Sequence, residues 1–102
     1  MADQTELGAI PVANPAVISQ EEADGGLVLV NCDTGAALAL NTTGTIVWKQ
    51  IDGRRSPADI TVAVSSCFRD VPDKVGEDVL SLLRLLAEEG FVGYEVVAHQ
   101  KR

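Results

Sequence analysis

The chain has 102 residues, of which 46% are hydrophobic; this composition is typical of a single globular domain and excludes a fibrous or disordered protein. Fifteen acidic residues against eight basic ones give a formal net charge of −7, and the basic residues are scattered along the chain. A duplex-DNA binder needs a basic face for its phosphate contacts, so we expect protein or peptide partners and no nucleic acid.

The first forty residues predict an arm followed by three strands. Residues 1–15 contain two prolines and a mostly polar start, and we expect a flexible or extended arm there. Val17–Gln20 favours a short strand, and the apolar run Leu27–Val30 favours a buried one. The sequence 33–35 (Asp-Thr-Gly) is typical of a turn, so Ala36–Leu40 should return antiparallel as a third strand.

Two helices are predicted next. Asn41 and the threonines after it are N-cap residue types, and Gly53 can supply the left-handed stop of this first helix. Periodicity alone would also allow a strand in this segment. Ser56 can cap the second helix, and Pro57 suits its first helical position. The stripe that follows, ending at Phe68, predicts an amphipathic helix that packs on the core.

The third helix is predicted to run from residue 71 to Glu89 and to stop at Gly90. Its apolar stripe is broad, with Leu85 widening one flank, and the pattern leaves open whether the flanks are packed or line a groove. The order of elements predicts an α+β fold, winged-helix-like, with three short antiparallel strands followed by three helices. We expect the domain to span residues 16–97, ending in a closing strand or an apolar tail over residues 91–97, and residues 98–102 to form a frayed tail.

The sequence offers no catalytic constellation and no metal site. Cys32 and Cys67 form no CxxC pair, and the single histidine, His99, cannot complete a metal site with them. We expect both cysteines to be buried small side chains. The acidic pairs on the third helix are sequence neighbours, which point about 100° apart and do not converge. We therefore expect a protein that is not an enzyme and has no cofactor.

The sequence also contains no apolar run long enough for a membrane-spanning helix. Residues 1–14 lack the basic start of a signal peptide. We expect a cytoplasmic protein with no membrane contact and with reduced thiols.

Several short pieces of the sequence occur together in an order and spacing that are fairly specific. They are Leu29–Gly35, Leu40–Gly44, Ile51–Gly53, Ser56–Ile60, and Asp78 and Val79 followed by Leu82, Leu83, Leu86, Gly90 and Phe91. Over about Val17–Tyr94 the chain resembles the PqqD-like family, the recognition elements of ribosomally made, post-translationally modified peptides. One departure is Ala36–Ala39, which is smaller than the bulky and aromatic residues often found there.

The resemblance implies a domain that does no chemistry. In the family, a leader peptide adds as an extra strand beside the third strand, in a groove shared with the third helix. The binding strand would be Ala36, Ala37, Leu38, Ala39 and Leu40, and the groove wall would be Lys74, Val75, Asp78, Val79 and Leu82. The resemblance also implies that Lys74 and Asp78 fix the direction of a charged leader.

The residues of the third strand agree with a binding edge independently of the family. Ala36–Leu40 contains no proline and no charge, the usual protections of an open strand edge. In a strand, Leu38 and Leu40 share one face, and Ala37 and Ala39 share the other. The alternative is that the edge is covered by residues 1–15 or by a second copy of the chain in a homodimer.

Four functions are therefore weighed. The first is binding of a precursor-peptide leader for a modifying enzyme, with a radical S-adenosylmethionine (radical SAM) maturase as the expected enzyme. The second is the same role for a leader peptidase of the lasso-peptide type. A winged-helix DNA-binding regulator is disfavoured by the net charge and by the lack of a basic recognition helix. The least favoured hypothesis is an enzyme that uses Cys32 or Cys67.

Overall fold

A computed structural model describes residues 10–70 and 73–95. The strands are β1 (Ile10–Ala13), β2 (Val17–Glu21), β3 (Leu27–Asn31), β4 (Ala37–Leu40) and β5 (Val92–Glu95). The helices α1 (Thr42–Lys49), α2 (Pro57–Ser65) and α3 (Val75–Glu88) follow β4 in turn and precede β5. The predicted α+β fold class is confirmed; β1 adds to the three predicted strands, and β5 lies where the sequence allows either a closing strand or an apolar tail.

The strands form two antiparallel sheets. β3 lies in the centre of a three-stranded sheet with β2 and β4 at its edges, and β1 pairs with β5 in a separate two-stranded sheet. The three strands predicted from the sequence are those of the larger sheet, each within one residue of its predicted bounds. Their register places Val30 opposite Ile18 on one side and opposite Ala37 on the other.

Within the predicted arm, Ile10–Ala13 forms the extended strand β1, and residues 1–9 lie outside the described residues. β1 is held by β5, so that Ile10 lies opposite Glu95. The Asn14 backbone N–H also donates to the Phe91 carbonyl at 3.0 Å. This pairing joins opposite ends of the chain, so the local pattern of residues 1–15 contains no sign of it. The predicted tail, residues 98–102, also lies outside the described residues.

The helices begin at the predicted caps in two of three cases. Asn41 Oδ1 accepts from the Gly44 backbone N–H at 2.8 Å at the start of α1. Ser56 and Asp59 form a reciprocal capping box at the start of α2. The described part of α3 begins at Val75, after an N-cap residue that makes no side-chain cap bond. The predicted start at residues 71–72 lies outside the described residues.

The core lies on one face of the three-stranded sheet. The buried residues of that face are Leu27, Leu29, Asn31 and Leu40. They join the buried helical side chains of Val47, Ile60, Val64, Val79, Leu83 and Leu86, together with Phe91 and Val92. On the opposite face, none of Ile18, Val28, Val30, Ala37 and Ala39 is buried. The alternation in each strand therefore separates an inner face from an outer face, as the pleat requires.

The prediction that the cysteines are buried is wrong, because both are exposed. Cys32 follows β3 and continues the alternation of its outer face. Cys67 follows α2, where its Sγ lies 3.5 Å from the Ala63 carbonyl. Within the described ranges, no helix has the length and apolar character that would let it cross a membrane.

Candidate functional site

β4 presents an unpaired backbone edge within the described part of the chain, where its single strand neighbour is β3. The Asn31 N–H donates to the Ala36 carbonyl at 2.8 Å, which marks that pair as hydrogen-bonded. Bonded and non-bonded pairs alternate along an antiparallel ladder, so the two leucines of β4 are also bonded to β3. The backbone N–H and C=O groups of Ala37 and Ala39 therefore point away from the sheet.

A cavity of about 440 Å³ opens between β4 and α3, beside this edge. Its strand side is formed by Leu38, Ala39 and Leu40, and its helix side by Val75, Asp78, Val79, Leu82 and Leu85. The rest of the lining is Asn41, Thr43, Gly44, Val47 and Phe68. Among the described residues of this lining, Asp78 has the one charged side chain. A volume of this size, with mostly apolar walls, suits large apolar side chains.

The structure brings seven of the ten predicted site residues to this cavity. They are Leu38, Ala39, Leu40, Val75, Asp78, Val79 and Leu82. The other three lie outside the lining. Ala37 contributes backbone to the free edge, Ala36 precedes β4 with its carbonyl bonded to β3, and Lys74 is the exposed N-cap residue of α3.

Part of the lining lies outside the ten predicted site residues. Leu85 belongs to the broad stripe of α3, and it is 39% exposed and lines the cavity, so that flank lines a groove. The sequence predicts Phe68 only as the end of the α2 packing stripe, but α2 ends at Ser65, so Phe68 lies beyond the helix and lines the cavity. Val47 and the start of α1 reach the cavity because α1 follows β4 directly.

Two glycines allow the backbone around β4 to pack closely. A Cβ at Gly26 would lie 2.7 Å from the Leu40 carbonyl oxygen. A Cβ at Gly44 would lie 3.3 Å from the Leu40 side chain. The first contact is with backbone, which cannot move aside as a flexible side chain can, so Gly26 fixes the distance between the β2–β3 turn and the end of β4.

A hydrogen-bond junction, formed by Asn31, Asn14 and the Gly90 carbonyl, connects the two walls of the cavity. The buried Asn31 Nδ2 donates to the Gly90 carbonyl at 2.9 Å, at the end of α3. Its Oδ1 accepts from the backbone N–H groups of Asp33 at 2.8 Å and Thr34 at 3.2 Å, in the β3–β4 turn. Asn14 Nδ2 donates to the same Gly90 carbonyl at 3.0 Å. The junction therefore positions the hairpin that contains β4 relative to α3.

Within residues 10–70 and 73–95, no cluster of three or more His, Cys, Asp or Glu side chains could hold a metal ion. The Arg54 backbone N–H, which donates to Asp52 at 2.9 Å, holds the pKa of the Asp52 carboxyl below its ordinary value. Asp52 lies in the exposed turn after α1 and does not line the cavity. The arrangement at β4 thus supplies a backbone edge, apolar walls and one carboxylate.

Three comparisons relate this geometry to known proteins. The family model described as coenzyme PQQ synthesis protein D (PqqD) matches residues 26–92. A solved structure described as TbiB1 in complex with the TbiA(beta) leader peptide is 26% identical, with a TM-score of 0.70, and the match covers 83% of this chain and 99% of that one. A structure described as lasso peptide synthetase B1 complexed with the leader peptide has a TM-score of 0.69 with the same coverage; at 22% identity this likeness shows the fold alone. No curated protein matches the chain.

Proposed function

Because the chain belongs to the PqqD family, we propose that it binds the leader of a ribosomally synthesised precursor peptide by adding it as a strand to β4. The observation that carries the proposal is the free backbone edge of β4 beside an apolar cavity shared with α3. The similar TbiB1 structure contains a leader peptide, which supports the same role here.

The strand edge and the cavity make separate contributions to the proposed binding free energy. Ala37 and Ala39 offer two N–H donors and two C=O acceptors, and each hydrogen bond contributes about 0.5–1.5 kcal/mol net. Micromolar binding corresponds to about −8 kcal/mol after an association cost of at least ~4 kcal/mol. The hydrogen bonds of the ladder alone therefore contribute too little free energy to offset the association cost and give micromolar binding. Apolar leader side chains must therefore enter the cavity, where each one that becomes fully buried contributes about 1.5–3 kcal/mol.

Strand geometry determines which leader residues enter the cavity. Successive side chains of an added strand alternate between the two faces, so every second leader residue points toward α3. We propose that Ala36–Leu40 pairs with the leader and that Val75, Val79 and Leu82 contact these anchors. Lys74 and Asp78 would orient a charged leader, each contributing about 1 kcal/mol or less at the surface.

We propose that the chain performs no chemistry itself and presents the leader to a modifying enzyme in the cytoplasm. A radical SAM maturase is the first candidate for that enzyme. The leader peptidase of a lasso-peptide system is the second, because the Leu40–Gly44 segment fits either enzyme. Each candidate, purified with the precursor, should form a ternary complex only if it is the cognate enzyme.

Two proline variants test strand addition directly. Ala39→Pro removes an N–H that points away from the sheet and leaves the β3–β4 ladder intact. Ser19→Pro is the matched control on the opposite edge. The Cys32 N–H donates to the Ala16 carbonyl at 3.0 Å, so the alternation along β2 makes the Ser19 N–H point outward as well.

The measurement is titration of each variant with the leader of the precursor encoded beside this gene. We expect Ala39→Pro to weaken binding by about tenfold or more, because it removes a ladder bond and leaves a peptide carbonyl unpaired. Ser19→Pro should bind within about twofold of wild type, and both variants should keep a folded amide spectrum. Wild-type affinity in Ala39→Pro, or an equal loss in Ser19→Pro, would refute strand addition at β4. Duplex DNA should produce no spectral shifts in any of the three proteins.

A further inference from the structure

The outer face of the β2–β3–β4 sheet is apolar and uncovered by other described parts of the chain. The register places Ile18, Val30 and Ala37 side by side in one row across all three strands. Ile18 is 60% exposed, Val30 is half-buried and Ala37 is exposed. A parallel row consists of Gln20, Val28 and Ala39. Neither row is needed for the core, which lies on the other face.

Both rows end at the edge where the leader is proposed to add. Residues directly opposite each other in paired strands point to the same face of the sheet. Leader residues opposite Ala37 and Ala39 therefore lie on the outer face, while their neighbours enter the cavity. A bound leader becomes the fourth strand of the outer face and extends each row by one side chain.

We propose that the outer face, completed by alternate side chains of the bound leader, is the docking surface for the enzyme that modifies the precursor. This inference rests on the proposed function. The enzyme would present an apolar patch flanked by basic residues. The depression of about 200 Å³ beside Ile18 is bordered by Glu22, and the chain as a whole has a net charge of −7.

A second copy of the chain fits this face less well than an enzyme with basic residues. A twofold contact would bring the same surface of both copies together, including Glu22 of each and two chains of charge −7. It would also bury the face without any need for the leader. Continuity with the β4 edge, in contrast, makes the surface depend on whether a peptide is bound.

The area of the outer face indicates how much a bound leader would add to the interface with the enzyme. Three strands spaced ~4.8 Å apart and about five residues long span roughly 230 Å², far below the ~800 Å² that each partner buries in a standard interface. The bare face is therefore only the apolar centre of such an interface. One added strand enlarges it by roughly a third, so the enzyme should prefer the loaded domain.

Two lysine variants test this surface. Ile18→Lys places a charge on the outer face, on β2, the edge strand farthest from the proposed leader. Val62→Lys is the matched control, because Val62 is also a β-branched residue, is 71% exposed, and lies on α2 outside the cavity lining. The probes are the leader of the precursor encoded beside this gene and the modifying enzyme encoded with it. Leader affinity is measured first, and enzyme affinity is then measured with and without saturating leader.

We expect both variants to bind the leader within about twofold of wild type. Ile18→Lys should weaken enzyme binding to the loaded domain by about tenfold or more, whereas Val62→Lys should change it by less than about twofold. The leader-free wild type should bind the enzyme more weakly than the loaded form does. These results together would support a composite surface.

Other results overturn the inference in distinguishable ways. Normal leader binding combined with normal enzyme binding by Ile18→Lys removes the outer face from the interface. A wild-type dimer that Ile18→Lys converts to a monomer, with enzyme affinity unchanged, assigns the face to a second copy. Failure of the wild type to bind the leader overturns the proposed function, and this inference with it.

Discussion

Replacing Asn31 with alanine should lower the free energy of unfolding by about 2–3 kcal/mol. The side chain makes three hydrogen bonds, to the Gly90 carbonyl and to the backbone N–H groups of Asp33 and Thr34. At about 0.5–1.5 kcal/mol each, their sum is roughly 1.5–4.5 kcal/mol. We expect the middle of that range, because Gly90 keeps its bond from Asn14 and the exposed turn can reach water.

The assay is equilibrium unfolding in urea, with Asn14→Ala as the control. Asn14 donates to the same carbonyl, and its Oδ1 accepts from the Ala16 N–H at 2.9 Å, so it makes two side-chain bonds in a half-buried position. Its replacement should cost about 1 kcal/mol. The reasoning is refuted if Asn31→Ala lies within about 0.5 kcal/mol of wild type, or if Asn14→Ala is the more damaging change.

Three further changes test other parts of the fold. Gly26→Ala should destabilise the protein by about 1–3 kcal/mol in urea unfolding, since its Cβ would meet the Leu40 carbonyl oxygen, and unchanged stability would contradict that contact. Ser56→Ala removes the N-cap acceptor of α2 and should cost about 1 kcal/mol by the same method; a loss within error of zero would argue against the cap. The pKa of Asp52 lies below its ordinary 3.8 because the Arg54 backbone N–H donates to the carboxylate. The ionised carboxylate therefore stabilises the fold above pH 3.8, and this stabilisation is lost as the pH falls through the lowered pKa. The thermal-stability difference between wild type and Asp52→Asn should therefore be seen at neutral pH and should close in acid, whereas a difference independent of pH would exclude this linkage.

The local signals in the sequence were sufficient for the elements that build the site. The alternation in Ala36–Leu40 predicted which side chains face the core, and Leu40 is buried while Ala39 is exposed. The cap residues Asn41 and Ser56 located two helix starts, because capping depends only on residues three apart.

The remaining features depend on contacts between distant parts of the chain. β1 exists because β5 pairs with it, and no pattern within residues 1–15 encodes that partner. Phe68 lies beyond α2, which ends at Ser65, so a periodicity continued from α2 does not describe its position in the cavity lining. The exposure of Cys32 follows from which face of β3 the helices cover, and this depends on tertiary packing.

The pairing of β1 with β5 has a practical consequence for building larger proteins. Ile10 and Glu95 lie opposite each other in the ladder, and opposed residues in such a ladder have Cα atoms about 4.5–5.5 Å apart. Neither strand lines the cavity at β4. The described domain can therefore be inserted into a surface loop of a host protein, or circularly permuted through a short linker, with its groove left unaltered.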